Sequence, residues 1–265
     1  MYAFDYHKPS SVEEAASLLA SKEDATVVAG GQTLIPTLKH RLAQPTDLVD
    51  LSGVAELKGV KMDGDTLVIG AMTTHAEVAA DATVRSAIPA LADLADGIGD
   101  AQVRNCGTIG GSVSNNDPAA DYPAALLALG ATVVTTNRSI SADDFFTGMF
   151  DTALEPGEIV TEIRLPKPTR AAYAKFPNPA SRYAIVGVMV AESGGQVRVA
   201  VTGAGQDGVF RATEIEQALT GTFSAEAAKA VKVSPDTMSA DIHASADYRA
   251  HLVSVMASRA VAACS

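Results

Sequence analysis

The chain has 265 residues and a formal net charge of −11. Nucleic acid and anionic membrane surfaces are therefore repelled, and an anionic ligand needs its own local donors. Hydrophobic residues make up 47% and charged residues 19%, the balance of a chain that folds rather than one that stays disordered. Cys106 and Cys264 lie in no CxxC pair, which excludes a thiolate-held zinc or iron–sulfur site; no disulfide is expected either.

The opening MYAFDYHKPSS lacks the basic and apolar stretches of a signal peptide. No apolar run approaches the roughly 20 residues of a membrane span. A cytoplasmic location is expected. The stretch SSVEEAASLLA reads as a helix with a capping box from Ser10 to Glu13 or from Ser11 to Glu14. ATVVAGG is a short buried strand ending at Gly30-Gly31, LIPTLKHRLA a helix and TDLVDLS a second strand. This alternation makes residues 1–53 a small βαβ unit with parallel strands.

Beyond residue 53 the pattern becomes mixed α+β. LKGVKM and TLVIGAM flank DGD as a hairpin. SAIPALADLADGIG is helical. DYPAALLALGA is a helix with Asp121 at its start, Pro123 early and Gly130 as C-cap. ATVVTT and GEIVTEIRLP are strands. Pro166, Pro168, Pro177 and Pro179 mark a boundary, so residues 54–169 form a second unit and 170–265 a third. In the third, YAIVGVMVAE and QVRVAVTGAG pair around Ser193-Gly194-Gly195. ATEIEQALTG, SAEAAKAVK and ADYRAHLVSVMASRAVAA follow as helices.

Two Gly-Gly sites stand out. Each is read either as a plain turn or as a nest of backbone amides for an anion, since glycine permits φ > 0 and close approach of a ligand. Gln32, Thr33, Thr108, Ser112 and Ser114 add neutral donors. Neither site is a Walker A or a GxGxxG fingerprint. Asp117 and Asp121 are read either as helix caps or as acceptors for the hydroxyls of a sugar or ribityl chain. The five histidines are scattered, and Lys39-His40-Arg41 reads as a solvated face. No GxSxG and no activated cysteine is present. A chain built to grip an anionic cofactor, with no evident acid, base or nucleophile, fits a redox cofactor that carries its own chemistry.

The segments FDYHKPSSVEEAASLL, AGGQTLIPTLKHRLAQPTDLVDLS, IGAMTTHAEV, CGTIGGSVSNNDPAADYPA and EPGEIVTEIRLP together resemble the FAD-binding medium subunit of the molybdenum hydroxylases, the xanthine dehydrogenase and carbon monoxide dehydrogenase family, leaning toward the carbon monoxide dehydrogenase type. The resemblance implies a vanillyl-alcohol-oxidase (PCMH)-type FAD-binding region of two α/β subdomains and a C-terminal domain of a small antiparallel sheet with a helical bundle. It implies FAD in this chain, with molybdopterin and [2Fe–2S] clusters held only by a large and a small partner subunit in a heterotrimer or a dimer of heterotrimers. Electrons would pass from the clusters to FAD and on to an external acceptor. The FAD diphosphate would lie between Ala29, Gly30, Gly31, Gln32, Thr33 and Leu34 and the segment Thr108, Ile109, Gly110, Gly111 and Ser112. Asp121 would bind FAD hydroxyls, Ile98 and Val160 would pack on the cofactor, Lys175 would sit near the flavin and Tyr183 would cover one ring face. No catalytic side chain and no metal ligand is expected. Thr33 stands where relatives commonly carry Ser, and Arg182 where carbon monoxide dehydrogenase relatives carry Asp, so the substrate class does not follow. The alternatives are a self-contained flavin reductase of the same fold and a flavin-free nucleotide-binding or scaffold subunit.

Overall fold

The computed structural model describes residues 1–264. Its first fifty residues give Asp5–His7 (β1), Val12–Ser21 (α1), Ala25–Val28 (β2), Leu34–Lys39 (α2) and Asp47–Asp50 (β3). The strands pair in parallel in the order β1-β3-β2. Helix α1 merges the two expected capping boxes. Ser11 Oγ accepts the Glu14 amide at 3.2 Å, and the Glu14 carboxylate accepts the Ser10 amide at 2.8 Å. Strand β2 delivers the first glycine pair to the carboxyl end of the parallel sheet, where open α/β sheets bind ligands.

Next come Val60–Asp63 (β4) and Thr66–Gly70 (β5), joined as a hairpin at Gly64. Six helices follow: His75–Ala80 (α3), Ala82–Ala87 (α4), Pro89–Asp96 (α5), Ala101–Cys106 (α6), Ile109–Asn115 (α7) and Tyr122–Leu129 (α8). Then come Thr132–Thr135 (β6), Ser139–Ser141 (β7), Ala142–Phe145 (α9), the small ribbon Phe146–Gly148 (β8) with Asp151–Thr152 (β9), and Val160–Pro166 (β10). Five of these strands form an antiparallel sheet, β4-β5-β10-β6-β7. Every residue of α8 is buried, as its uniformly apolar sequence requires of a helix covered on all sides. It ends at Gly130, in the left-handed conformation at φ 62°, as expected of a glycine stop.

The last unit is a four-stranded antiparallel sheet of Arg170–Pro177 (β11), Ala184–Ser193 (β12), Gln196–Gly205 (β13) and Gly208–Arg211 (β14), followed by Thr213–Gly221 (α10), Ala225–Ala230 (α11) and Ala246–Ala263 (α12). The proline-marked stretch read as a boundary thus contains the edge strand β11, with Pro177 at its end, where a missing N–H costs no ladder bond. Strand β12 is buried on both faces. Met189 and Ala191 join the core around α8, while Val186, Val188 and Val190 join the core under α12. The C-terminal sheet is therefore a shared wall between its own helices and the unit before it. No helix among the described residues is long and apolar enough to cross a membrane.

Candidate functional site

A cavity of about 710 Å³ opens where the parallel sheet, the helices α3, α6 and α7 and the turn between β11 and β12 meet. Ala29, Gly30, Gly31, Gln32, Thr33, Leu34, Ile98, Thr108, Gly110, Gly111, Ser112, Asp121, Val160 and Tyr183 all line it; Ile109 and Lys175 do not. Residues separated by more than 150 positions thus converge on one space.

The first glycine site is an open turn. Gly31 has φ 69°, a conformation that side chains with a Cβ rarely adopt. Gly30 has an ordinary φ, but a Cβ there would collide with the Cys106 carbonyl and the Gly107 Cα. The amides of Gly30, Gly31, Gln32, Thr33 and Leu34 donate to no backbone acceptor among the described residues. This run of unengaged amides is what a nest of backbone donors requires.

The second glycine site corrects the expectation. It is not an open loop but the first turn of α7, capped by Thr108, whose Oγ1 accepts the Gly111 amide at 3.1 Å. The other amides are also engaged: Ile109 with the Thr73 carbonyl at 3.1 Å, Gly110 with the Ala71 carbonyl at 2.8 Å, and Ser112 with the Thr108 carbonyl at 3.0 Å. Its glycines have ordinary φ; Gly110 is needed because a Cβ would stand 2.6 Å from Ala71 Cβ. The segment therefore presents small surfaces and the side chains of Thr108, Ser112 and Ser114 to the cavity rather than a run of free amides. Ile109 is fully buried in the core behind it.

Asp121 also departs from the capping reading. Its backbone is already helical, at φ −78° and ψ −43°, and its side chain caps nothing. Tyr173 Oη donates to Oδ1 at 2.5 Å, and Lys175 Nζ donates to Oδ2 at 2.9 Å and to the Gly97 carbonyl at 3.2 Å. Burial pushes the Asp121 carboxyl up, and Lys175 and Tyr173 pull it back. Lys175 therefore stands behind Asp121 rather than on the cavity surface. Asp117 caps no helix either; its Oδ1 closes the turn between α7 and α8 by accepting the Ala119 amide at 2.8 Å, and burial raises its carboxyl.

Two further lining residues carried no functional expectation as individual side chains. His75 is buried, and desolvation, with Arg104 nearby, pushes its imidazole down to about 4. Its Nδ1 has no partner, and its ring lies 5.4 Å from that of Tyr122. Arg182 is the one Lys or Arg among the lining residues; it sits at φ 63° on the turn from Asn178 to Tyr183. Asn178 Oδ1 holds that turn by accepting the Ala180 and Ser181 amides. Tyr183 is 47% exposed at the lip. No group of three or more His, Cys, Asp or Glu side chains placed to hold a metal occurs among the described residues.

Comparison with known proteins bears on what fills this cavity. Residues 2–168 match the family described as "FAD binding domain in molybdopterin dehydrogenase", and residues 171–264 match "CO dehydrogenase flavoprotein C-terminal domain". The chain belongs to the FAD-binding medium subunits of the molybdenum hydroxylases. It is 36% identical to the carbon monoxide dehydrogenase medium chain of Hydrogenophaga pseudoflava, covering 97% of this chain and 96% of that one. It is also 36% identical to the nicotine 6-hydroxylase medium subunit of Paenarthrobacter nicotinovorans, over 98% and 96%. A solved Hydrogenophaga pseudoflava carbon monoxide dehydrogenase superposes with a TM-score of 0.89 at 37% identity, covering 99% of this chain and 97% of that one. A quinoline 2-oxidoreductase from Pseudomonas putida 86 does so with 0.89 at 31%, over 99% and 96%.

The cofactor of this medium subunit is FAD, and its fold is the PCMH-type FAD-binding region with a C-terminal sheet-and-helix domain. The residues present fit that group. An amide nest without Lys or Arg suits a diphosphate in an acidic chain, and the cavity volume lies within the roughly 300–1,000 Å³ typical of cofactor sites. The alternatives of a self-contained reductase and a flavin-free scaffold give way to a subunit that transfers electrons within a larger complex.

Proposed function

We propose that the amides of Gly30 to Leu34 hold the FAD diphosphate, with Thr108 and Ser112 adding hydroxyl contacts from the opposite wall. Asp121 accepts from the cofactor's hydroxyls through the lone pairs that Tyr173 and Lys175 leave free. Ile98 and Val160 supply apolar packing, and Tyr183 covers one ring face. The observation that carries this reading is the run of five consecutive unengaged amides at Gly30 to Leu34, all in residues that line the cavity, opposite a turn whose amides from Ile109 to Ser112 are engaged. Residues 1–53 and 54–169 are the two lobes of the FAD-binding region, and 170–265 the C-terminal domain.

When bound, FAD supplies the exchange of single electrons and electron pairs that no side chain here offers. The chain positions the cofactor, keeps water from one face through Tyr183, and surrounds it with fixed dipoles. The complex contains a molybdopterin-binding large subunit and a [2Fe–2S] small subunit, as a heterotrimer or a dimer of such trimers, in the cytoplasm. Electrons arrive from the clusters and leave to an external acceptor. The substrate is chosen elsewhere: relatives named for carbon monoxide and for nicotine share the same 36% identity with this chain. Reconstitution tests this. Substrate should bleach the flavin absorbance near ~450 nm only when both partner subunits are present; bleaching with this chain alone refutes it.

A further inference from the structure

The segment from Asp117 to Asp121 lies on the C-terminal sheet rather than on the FAD-binding strands. Thr202 Oγ1 on β13 donates to the Ala120 carbonyl at 2.6 Å and to the Pro118 carbonyl at 3.1 Å, and the Gly203 amide donates to the Pro118 carbonyl at 2.8 Å. On β11, Tyr173 and Lys175 are two residues apart and so share one face of the strand. They divide the Asp121 carboxylate between them, one oxygen each. Strand β12 leaves room for this: a Cβ on Gly187 would collide with the Tyr173 hydroxyl.

We propose that Tyr173 is a positioning residue of the flavin site, holding Oδ1 of Asp121 from the C-terminal sheet so that the acid meets the cofactor in one orientation. Asp121 is buried and its donors are half-buried, and a carboxylate held by two donors on one strand face cannot rotate without breaking a charge-assisted bond. Lys175 does a second job, bridging Asp121 and the Gly97 carbonyl at the end of α5. That end leads directly to Ile98, so two cavity walls are tied to a single strand. The C-terminal domain is therefore part of the cofactor site through residues that do not touch the cofactor. This inference rests on the reading that Asp121 contacts FAD.

The test uses the full chain stripped of flavin and titrated with FAD. Tyr173→Phe should raise the Kd for FAD about tenfold, the loss of one hydrogen bond to a charged group, with the apo melting temperature little changed. In an Asp121→Ala background the same replacement should change the Kd no further. Gly187→Ala, which displaces the hydroxyl while leaving it present, should behave like Tyr173→Phe. An unchanged Kd in Tyr173→Phe, or effects of Tyr173→Phe and Asp121→Ala that simply add, overturns the proposal. If Asp121→Ala alone leaves the Kd unchanged, the underlying reading of Asp121 fails instead.

Discussion

Gly30 is seated against the main chain of Cys106: a Cβ at position 30 would collide with the Cys106 carbonyl and would stand 2.7 Å from the Gly107 Cα. This contact joins the turn after β2 to the end of α6, and so sets the distance between the open amide nest and the Thr108 wall. The two glycine segments form one site through a packing contact that only a residue without a side chain allows.

Gly30→Ala should therefore separate the two walls, and Gly31→Val should add a left-handed valine with a Cβ 2.8 Å from Ile35 Cγ1. Gly111→Val acts differently, pressing on Thr108 Oγ1 at 2.9 Å and so on the cap of α7. Each should abolish stoichiometric FAD while leaving the far-ultraviolet circular dichroism close to that of the parent. For Gly31→Val the backbone term alone is about 1–2 kcal/mol. Normal flavin content in purified Gly31→Val would rule out the first turn as the diphosphate site.

FAD should be bound without a covalent link. Neither Cys106 nor Cys264 lines the cavity, and His75, the one histidine in the lining, is buried with Nε2 against Gly107. Acid precipitation should release all the flavin into the supernatant as FAD. Yellow protein in the pellet would contradict this, and released FMN would contradict the diphosphate site.

Asp121→Ala should weaken FAD binding more than Asp117→Ala does. Both acids line the cavity, but Asp121 caps nothing, whereas Asp117 spends one oxygen on the Ala119 amide and so has a local structural task. Asp117→Ala should cost about 0.5–1.5 kcal/mol of stability, the loss of one side-chain hydrogen bond to a turn amide, with FAD affinity little changed. Measuring affinity and apo melting temperature on the same samples separates the two roles, and the reverse ranking in affinity would refute the assignment.

Elements were legible in the sequence wherever period and punctuation agreed. Examples are β12 and β13 around Gly194-Gly195, and α8 between Pro123 and Gly130. The site was legible where one segment carried its own signal, as at Gly30-Gly31. It was not legible where the partner lies far along the chain. The amides at Ile109 and Gly110 are taken by the carbonyls of Thr73 and Ala71, and no local pattern reports that. Tyr173 meets Asp121 across a sequence separation of 52, and its neighbours on β11 show only an ordinary edge strand. The Thr108 cap was the one missed feature with a local signal, a threonine three residues before a helical amide.

His75 gives a pH dependence of known sign. Its folded value of about 4 lies below the usual 6.5 because burial, and then Arg104, disfavour the charged ring. Above 6.5 both folded and unfolded chains hold it neutral, and its contribution is constant. As pH falls from 6.5 toward 4 the unfolded chain gains the proton first, so apo stability should drop by on the order of 3 kcal/mol. His75→Gln should flatten that part of the curve of melting temperature against pH. An equal slope in parent and variant would show that other groups account for it.

The isolated chain should take electrons from a chemical reductant yet turn over no substrate of its complex. No metal-binding group of His, Cys, Asp or Glu occurs among the described residues, and the three acids in the lining are occupied: Asp117 by the Ala119 amide, Asp121 by Tyr173 with Lys175, and Glu158 by Arg138 and Thr135. Tyr183 is the one tyrosine of the lining and is half exposed, on a turn held by Asn178. Tyr183→Ala should therefore change the rate of reoxidation by soluble acceptors several-fold, while FAD content stays near one per chain. Rapid-mixing reoxidation of the reduced protein reads the first quantity and the absorbance ratio of flavin to protein the second. Loss of FAD in proportion to loss of rate would make Tyr183 a binding residue rather than a cover for the ring. Steady substrate turnover by the chain alone would refute the electron-transfer role.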